Sequence, residues 1–216
     1  MTTGSGTPTD SDDGRSARKS RAILDAATEI FLEQGYLGTS MDEIAARARV
    51  SKQTVYKHVG DKKRLFIRIV VATVEQVGDP VYDAVLHLAE SGEVEADLRD
   101  LARRQLSLVM QPKLLRLRRL VIGEATRFPD LGRTFYERGL ERTIQVLTTA
   151  FEGLAGRGLL EIADPRLAAE HFNWLVMSVP LNRAMLTGND EPFSAAELDR
   201  YADAGVRVFV AAYGRP

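Results

Sequence analysis

Residues 40–59 read SMDEIAARARVSKQTVYKHV, and this stretch decides the fold of the first part of the chain. Ser40-Met-Asp-Glu43 has the form of a capping box, in which a Ser oxygen accepts an orphan backbone N–H and a Glu three residues on reaches back. It opens a short helix carrying Ile44, Ala45 and Ala48 on its apolar side. Ser51 then caps a second short helix, Lys52 to Val59, with Val55 and Val59 inward. Two short helices joined by a tight turn form a helix-turn-helix, and the second helix must be short, apolar on one side and polar on the other to enter a DNA major groove. Lys52, Gln53 and Thr54 stand at its N-terminal end, where side chains reach base edges. Tyr56, Lys57 and His58 follow, with side chains suited to phosphate.

Outward from this stretch the pattern stays helical. Ile23, Ala26, Ala27, Ile30 and Phe31 repeat as one face of a helix that Gly35 ends. Gly60-Asp61 closes the second short helix and caps a connecting helix to about Val77, which Gly78-Asp79-Pro80 is expected to stop. A weaker helix over 80–90 follows, then helices over 93–110, 112–127, 130–154, 165–187 and 194–213. No strand is expected. The fold class is all-α: a three-helix N-terminal DNA-binding domain over 15–66 and a larger helical body over 67–216, behind a disordered lead-in at 1–14.

Charge agrees with this division. The chain carries a net −1, but residues 15–66 hold eleven Lys/Arg against six Asp/Glu, a local +5 suited to a polyanion. There is no cysteine, so disulfides, thiolate metal sites and a Cys nucleophile are excluded. The lone His87 and His171 lack metal-ligand spacing, and neither metal nor cofactor is expected. No apolar run approaches a membrane span, and the N-terminus lacks the apolar core of a signal peptide, which points to a cytoplasmic protein. Neither a nucleophile elbow nor a phosphate loop is present, and the glycines of 153–158 follow a helix without opening a strand-helix unit. An enzyme is therefore not expected.

Four strings carry a resemblance to a known family: Phe31-Leu-Glu-Gln-Gly-Tyr36, Thr39-Ser-Met-Asp-Glu-Ile-Ala45, Val50-Ser-Lys-Gln-Thr-Val-Tyr-Lys-His58 and Gly60-Asp-Lys-Lys-Arg-Leu-Phe66. Together they resemble the TetR family of bacterial regulators over about 50 residues. The resemblance implies phosphate contacts from Ser40, Tyr56, His58 and Lys62 and base contacts from Lys52, Gln53 and Thr54. Two positions depart from the family pattern. Arg49 stands where a turn glycine is usual, so it must take a positive φ at a cost of roughly 1 kcal/mol, and it could reach a phosphate. Val59 replaces a more common Phe. The string Arg118-Arg-Leu-Val-Ile-Gly-Glu-Ala-Thr-Arg-Phe-Pro-Asp130, with Phe135-Tyr136 after it, resembles the AefR-type subgroup.

The family resemblance implies a C-terminal domain that dimerises and binds a small apolar or amphipathic ligand. Two apolar stripes suit a two-fold four-helix interface: Thr143, Ile144, Leu147, Ala150, Phe151 and Leu154 in 130–154, and Ala168, Phe172, Leu175, Val176 and Val179 in 165–187. A ligand pocket is expected between Met110, Leu117, Val121, Glu124 and Phe128 on one side and Trp174 and Met177 on the other. Glu124 would meet a cationic ligand or pair with one of its neighbouring arginines. The function expected is a ligand-responsive regulator, a repressor that binds a palindromic double-stranded DNA operator as a homodimer and is released when ligand moves the helix over 61–77. The alternatives are an activator of the same family and a helical interaction protein with a degenerate DNA-binding fold.

Overall fold

A computed structural model describes residues 10–90 and 92–215. They are helical almost throughout, and the one β-type pairing among them is an isolated antiparallel bridge between Leu160 and Gly214. The elements in order are α1 (Asp10–Gly38), α2 (Met41–Arg47), α3 (Lys52–Val59), α4 (Lys62–Glu90), α5 (Val94–Val109), α6 (Pro112–Glu124), α7 (Pro129–Tyr136), a π-helical turn (Glu137–Glu141), α8 (Arg142–Gly156), α9 (Pro165–Thr187) and α10 (Ala195–Tyr213). The chain divides into two compact units, the first up to Val70 and the second from Val71.

In the first unit Gly35 breaks the helical path of α1 at φ 73° and ψ 178°, a conformation open to glycine because it has no Cβ. The chain turns there, and Tyr36 stacks on Phe31 at 5.9 Å between ring centres, with Phe66 4.8 Å from Phe31. Ile30, Ile44, Val55, Val59 and Leu65 are buried in the same unit. Ser40 and Ser51 cap α2 and α3 by accepting the N–H groups of Glu43 and Thr54, both at 3.1 Å. The box at Ser40 is half-formed, because the Glu43 carboxylate takes Gln34 Nε2 and Arg47 instead of reaching back.

In the second unit α5, α8, α9 and α10 enclose a core centred on Phe151, Phe172 and Phe209, which pack ring to ring at 5.1–5.8 Å. Two ion pairs tie its elements together. Arg103 on α5 grips both oxygens of Asp203 on α10 at 2.8 and 2.7 Å, and Arg166 on α9 grips both of Glu141 at 2.8 and 3.0 Å.

Three sequence expectations are overturned. Gly78-Asp79-Pro80 does not stop a helix: α4 runs through it to Glu90. An internal proline costs about 3 kcal/mol, yet Val74, Val81, Val85 and Leu88 lie on one buried face across it, and each such side chain contributes about 1.5–3 kcal/mol. The helix over 130–154 is α7 and α8 joined through the π-turn rather than one α-helix. Residues 10–14, assigned to a disordered lead-in, begin α1; residues 1–9 of that segment lie outside the described residues.

Candidate functional site

The turn between α2 and α3 is built as the spacing requires. Ala48, Arg49 and Val50 N–H groups bond back to Ile44, Ala46 and Ala45 carbonyls at 2.9–3.1 Å. Arg49 takes φ 54°, the only positive φ outside glycine among the described residues. Val55 and Val59 anchor α3 inward, which leaves Lys52, Gln53, Tyr56 and Lys57 exposed along its other side.

The eight residues expected at DNA fall into distinct environments. Gln53 and Tyr56 are exposed on α3, and Arg49 is exposed in the turn. Thr54 Oγ1 lies 2.8 Å from Ser51 Oγ, so its hydroxyl is held at the start of the helix. Ser40 is exposed, and its Oγ accepts the Glu43 N–H that caps α2. Lys52 Nζ pairs with Asp42 Oδ1 at 2.6 Å, and that hydrogen bond raises the lysine pKa above its ordinary value. His58 is half-buried, and its carbonyl accepts from Arg68 at 2.8 Å. Lys62 turns inward: its ammonium donates to the Thr39 and Leu37 carbonyls at 2.5 and 3.3 Å and lies 4.7 Å from the Tyr36 ring centre. Its charge therefore fastens the loop before α2, a role that spacing alone does not reveal.

The second unit contains a cavity whose empty space, open mouth included, is about 670 Å³. α4 supplies Val74, Val81 and Tyr82; α5 supplies Gln105 and Val109; α6 supplies Leu114 and Arg118; α9 supplies Asn173, Trp174, Met177 and Leu181. Phe135, Gly139 and Thr143 also line it, and they follow one another at four-residue intervals through the π-turn. Such turns recur at functional sites because the extra residue resets which side chains face inward.

Of the expected pocket residues, only Trp174 and Met177 line this cavity. Met110, Leu117 and Val121 are buried elsewhere, and Glu124 and Phe128 lie at the end of α6 and beyond it. On α6 the lining row is Leu114–Arg118, whereas Leu117–Val121 is the adjacent row, about 60° away around the helix. Periodicity shows that both rows are apolar or half-apolar but not which one borders empty space. The residues missed are polar ones at core spacing: Gln105 after Leu98, Leu101 and Ala102, and Asn173 beside Phe172. Both are buried, and Gln105 Nε2 donates to Asn173 Oδ1 at 3.0 Å.

The expected dimer stripes also divide. On α8, Ile144, Leu147, Ala150, Phe151 and Leu154 are all buried inside the subunit, so that stripe is core and offers no apolar face. On α9, Ala168, Phe172 and Val176 are core, but Leu167, Leu175, Val179 and Leu186 are exposed, as is Val208 on α10. No helix among the described residues is long and apolar enough to cross a membrane.

Comparison with known proteins fits both units. Residues 23–69 match the bacterial regulatory proteins of the tetR family, and residues 96–215 match the C-terminal domain of AefR-like transcriptional repressors. A TetR-family transcriptional regulator from Mesorhizobium loti superposes with a TM-score of 0.88 at 47% identity, over 93% of this chain and 99% of that one. The flavonoid-responsive regulator FrrA superposes with a TM-score of 0.73 at 32% identity, over 92% and 98%. The HTH-type transcriptional regulator YezE of Bacillus subtilis is 26% identical over 185 residues, 84% of this chain and 89% of that protein. The chain therefore belongs to the TetR family of transcriptional regulators, with an AefR-like C-terminal domain.

Proposed function

We propose that this regulator is a dimeric repressor released from its operator by a small molecule bound in the cavity of the second unit. The observation that carries the reading is that cavity: a mostly apolar, partly enclosed space bordered by α4 and otherwise lined from the part of the chain that matches AefR-like repressors. α4 contributes residues to both units, so a ligand that displaces it would change how the two recognition helices of a dimer are held. FrrA, a relative over nearly the whole chain, is named for its response to flavonoids, which makes planar, partly polar molecules the first class to try.

On the DNA side, Gln53 is the foremost base reader, because it is exposed at the start of α3. Lys52 joins it once a phosphate or base competes with Asp42. Tyr56, His58 and Arg49 would hold phosphates, as would Ser40 at the N-terminus of α2. For the dimer, α10 replaces α8 beside α9, since the exposed apolar side chains lie on α9 and α10. A two-fold pair would set its recognition helices about 34–36 Å apart, one turn of DNA.

Fluorescence anisotropy tests this with the DNA upstream of the protein's own gene and a scrambled duplex, each at two salt concentrations. Preferential binding that weakens steeply with salt is expected. A flavonoid added to the complex should release the DNA, and operator should weaken flavonoid binding by the same factor. Equal, weak binding to both duplexes would sink the operator reading and leave an interaction protein with a vestigial helix-turn-helix.

A further inference from the structure

Three buried side-chain polar atoms among the described residues make no hydrogen bond of good geometry: Gln105 Oε1, Arg118 Nε and Tyr82 Oη, the last with Thr143 as its polar neighbour. All three residues line the same cavity. Buried groups of this kind are few in native proteins, and each carries a desolvation cost when left unsatisfied. Their gathering around one space marks groups kept for something that enters it.

Arg118 is the sole charged residue lining the cavity. Its neighbours Arg116 and Arg119 both pair with Asp190, and Arg103 and Arg166 each grip a carboxylate. Arg118 has no carboxylate partner among the described residues; its guanidinium lies 5.1 Å from the Phe135 ring centre. Burial lowers its pKa, but a guanidinium stays protonated, so it cannot escape desolvation by losing its proton as a lysine would. A fixed cation at an apolar cavity is poised for an anion, because a charge-assisted hydrogen bond strengthens as water leaves.

Resting on the effector reading above, we propose that the cavity selects an amphipathic organic anion, with its carboxylate or equivalent acidic group on Arg118 and its apolar body among Val81, Leu114, Trp174, Met177 and Leu181. Gln105 offers an accessory contact. Its amide nitrogen is spent on Asn173, so its oxygen can accept from a ligand that also carries a hydroxyl or N–H. Tyr82 adds a third contact through a hydroxyl accommodated by Gly78, where a Cβ would come within 2.8 Å of that oxygen.

The test uses the full chain and a matched pair of probes, decanoate and decanamide, below their aggregation limits. Trp174 lines the cavity and is the only tryptophan, so its emission reports occupancy directly. Decanoate is expected to bind at least about ten-fold tighter than decanamide, a difference of about 1.4 kcal/mol. Arg118→Met should erase that preference while leaving decanamide affinity within about three-fold, and should melt no lower than the wild type because it removes a half-buried cation that has no carboxylate partner among the described residues. Arg118→Gln serves if the Met variant does not fold. Equal affinities in the wild type, or a preference that survives both substitutions, would overturn the anion assignment and leave the effector cavity standing. No response of Trp174 to either probe would overturn the anion assignment, and the flavonoid titration then decides the effector reading separately.

Discussion

Lys52 Nζ and Asp42 Oδ1 lie 2.6 Å apart across the turn of the helix-turn-helix, so the first side chain of the recognition helix is held by a carboxylate from the helix before it. Both residues are well exposed, and the pair itself adds little to stability. Its weight falls on DNA binding. Asp42 places a negative charge on the face proposed to meet phosphates, and Lys52 must leave it to contact DNA.

Asp42→Asn is therefore expected to tighten binding to any duplex by about three- to ten-fold at low salt and to steepen the salt dependence, since one more cation is available to displace counterions. Gln53→Ala in the same background should instead flatten the preference between operator and scrambled DNA, at a cost of about 1–3 kcal/mol for the operator alone. Anisotropy titrations of both variants on both duplexes separate the two effects. An Asp42→Asn protein with unaltered affinity would place this edge of α3 away from the DNA.

Gly205 on α10 sits against the backbone of α9. A Cβ there would lie 3.0 Å from the Leu175 carbonyl oxygen and 3.1 Å from Val176 Cγ2. Neither neighbour can retreat cheaply, because one is main chain and the other is buried. Gly205→Ala should destabilise the fold by about 1–3 kcal/mol despite the better helix propensity of Ala, read as a lower urea midpoint at unchanged slope. The same variant should weaken the dimer, because α9 and α10 are proposed to form the interface; sedimentation at several concentrations measures that. A stability equal to wild type would mean that the two helices separate more readily than their packing implies.

Asp203 is held below the usual carboxylate range first by its hydrogen bonds to Arg103, against a smaller opposing effect of burial. A depressed native pKa gives stability that is fully present above the unfolded-state pKa, about 4. It is lost as pH falls through the native value, where the folded protein must take up the proton. Arg103→Met should thus lower stability at neutral pH and shrink the wild-type loss on acidification below about pH 4. Thermal melts across that range check it. A parallel acid profile in wild type and variant would show that the pair contributes nothing across the α5–α10 contact.

The local sequence by itself determined the first unit. α2 and α3 are short, and the unit's elements end in chemical signals that act over three or four residues: Ser40, Ser51 and Asp61 accept their capping N–H groups, Gly35 takes a positive φ, and Arg49 does so even without being glycine. Position on so short an amphipathic helix leaves little choice about which side faces in. Only the tertiary structure decided that Lys62 is turned to the carbonyls of Leu37 and Thr39 and that Lys52 is paired, because those partners lie 25, 23 and 10 residues away. In the second unit the helices were legible, but their assignments to core, cavity and outer face were not. The row Leu117–Val121 and the row Leu114–Arg118 lie only about 60° apart around α6. Pro80 gave the expected stop signal, and the buried face of α4 overrode it. Periodicity records how much apolar surface a helix must bury; what it is buried against depends on the other helices, and so does the empty space that leaves Arg118 without a carboxylate.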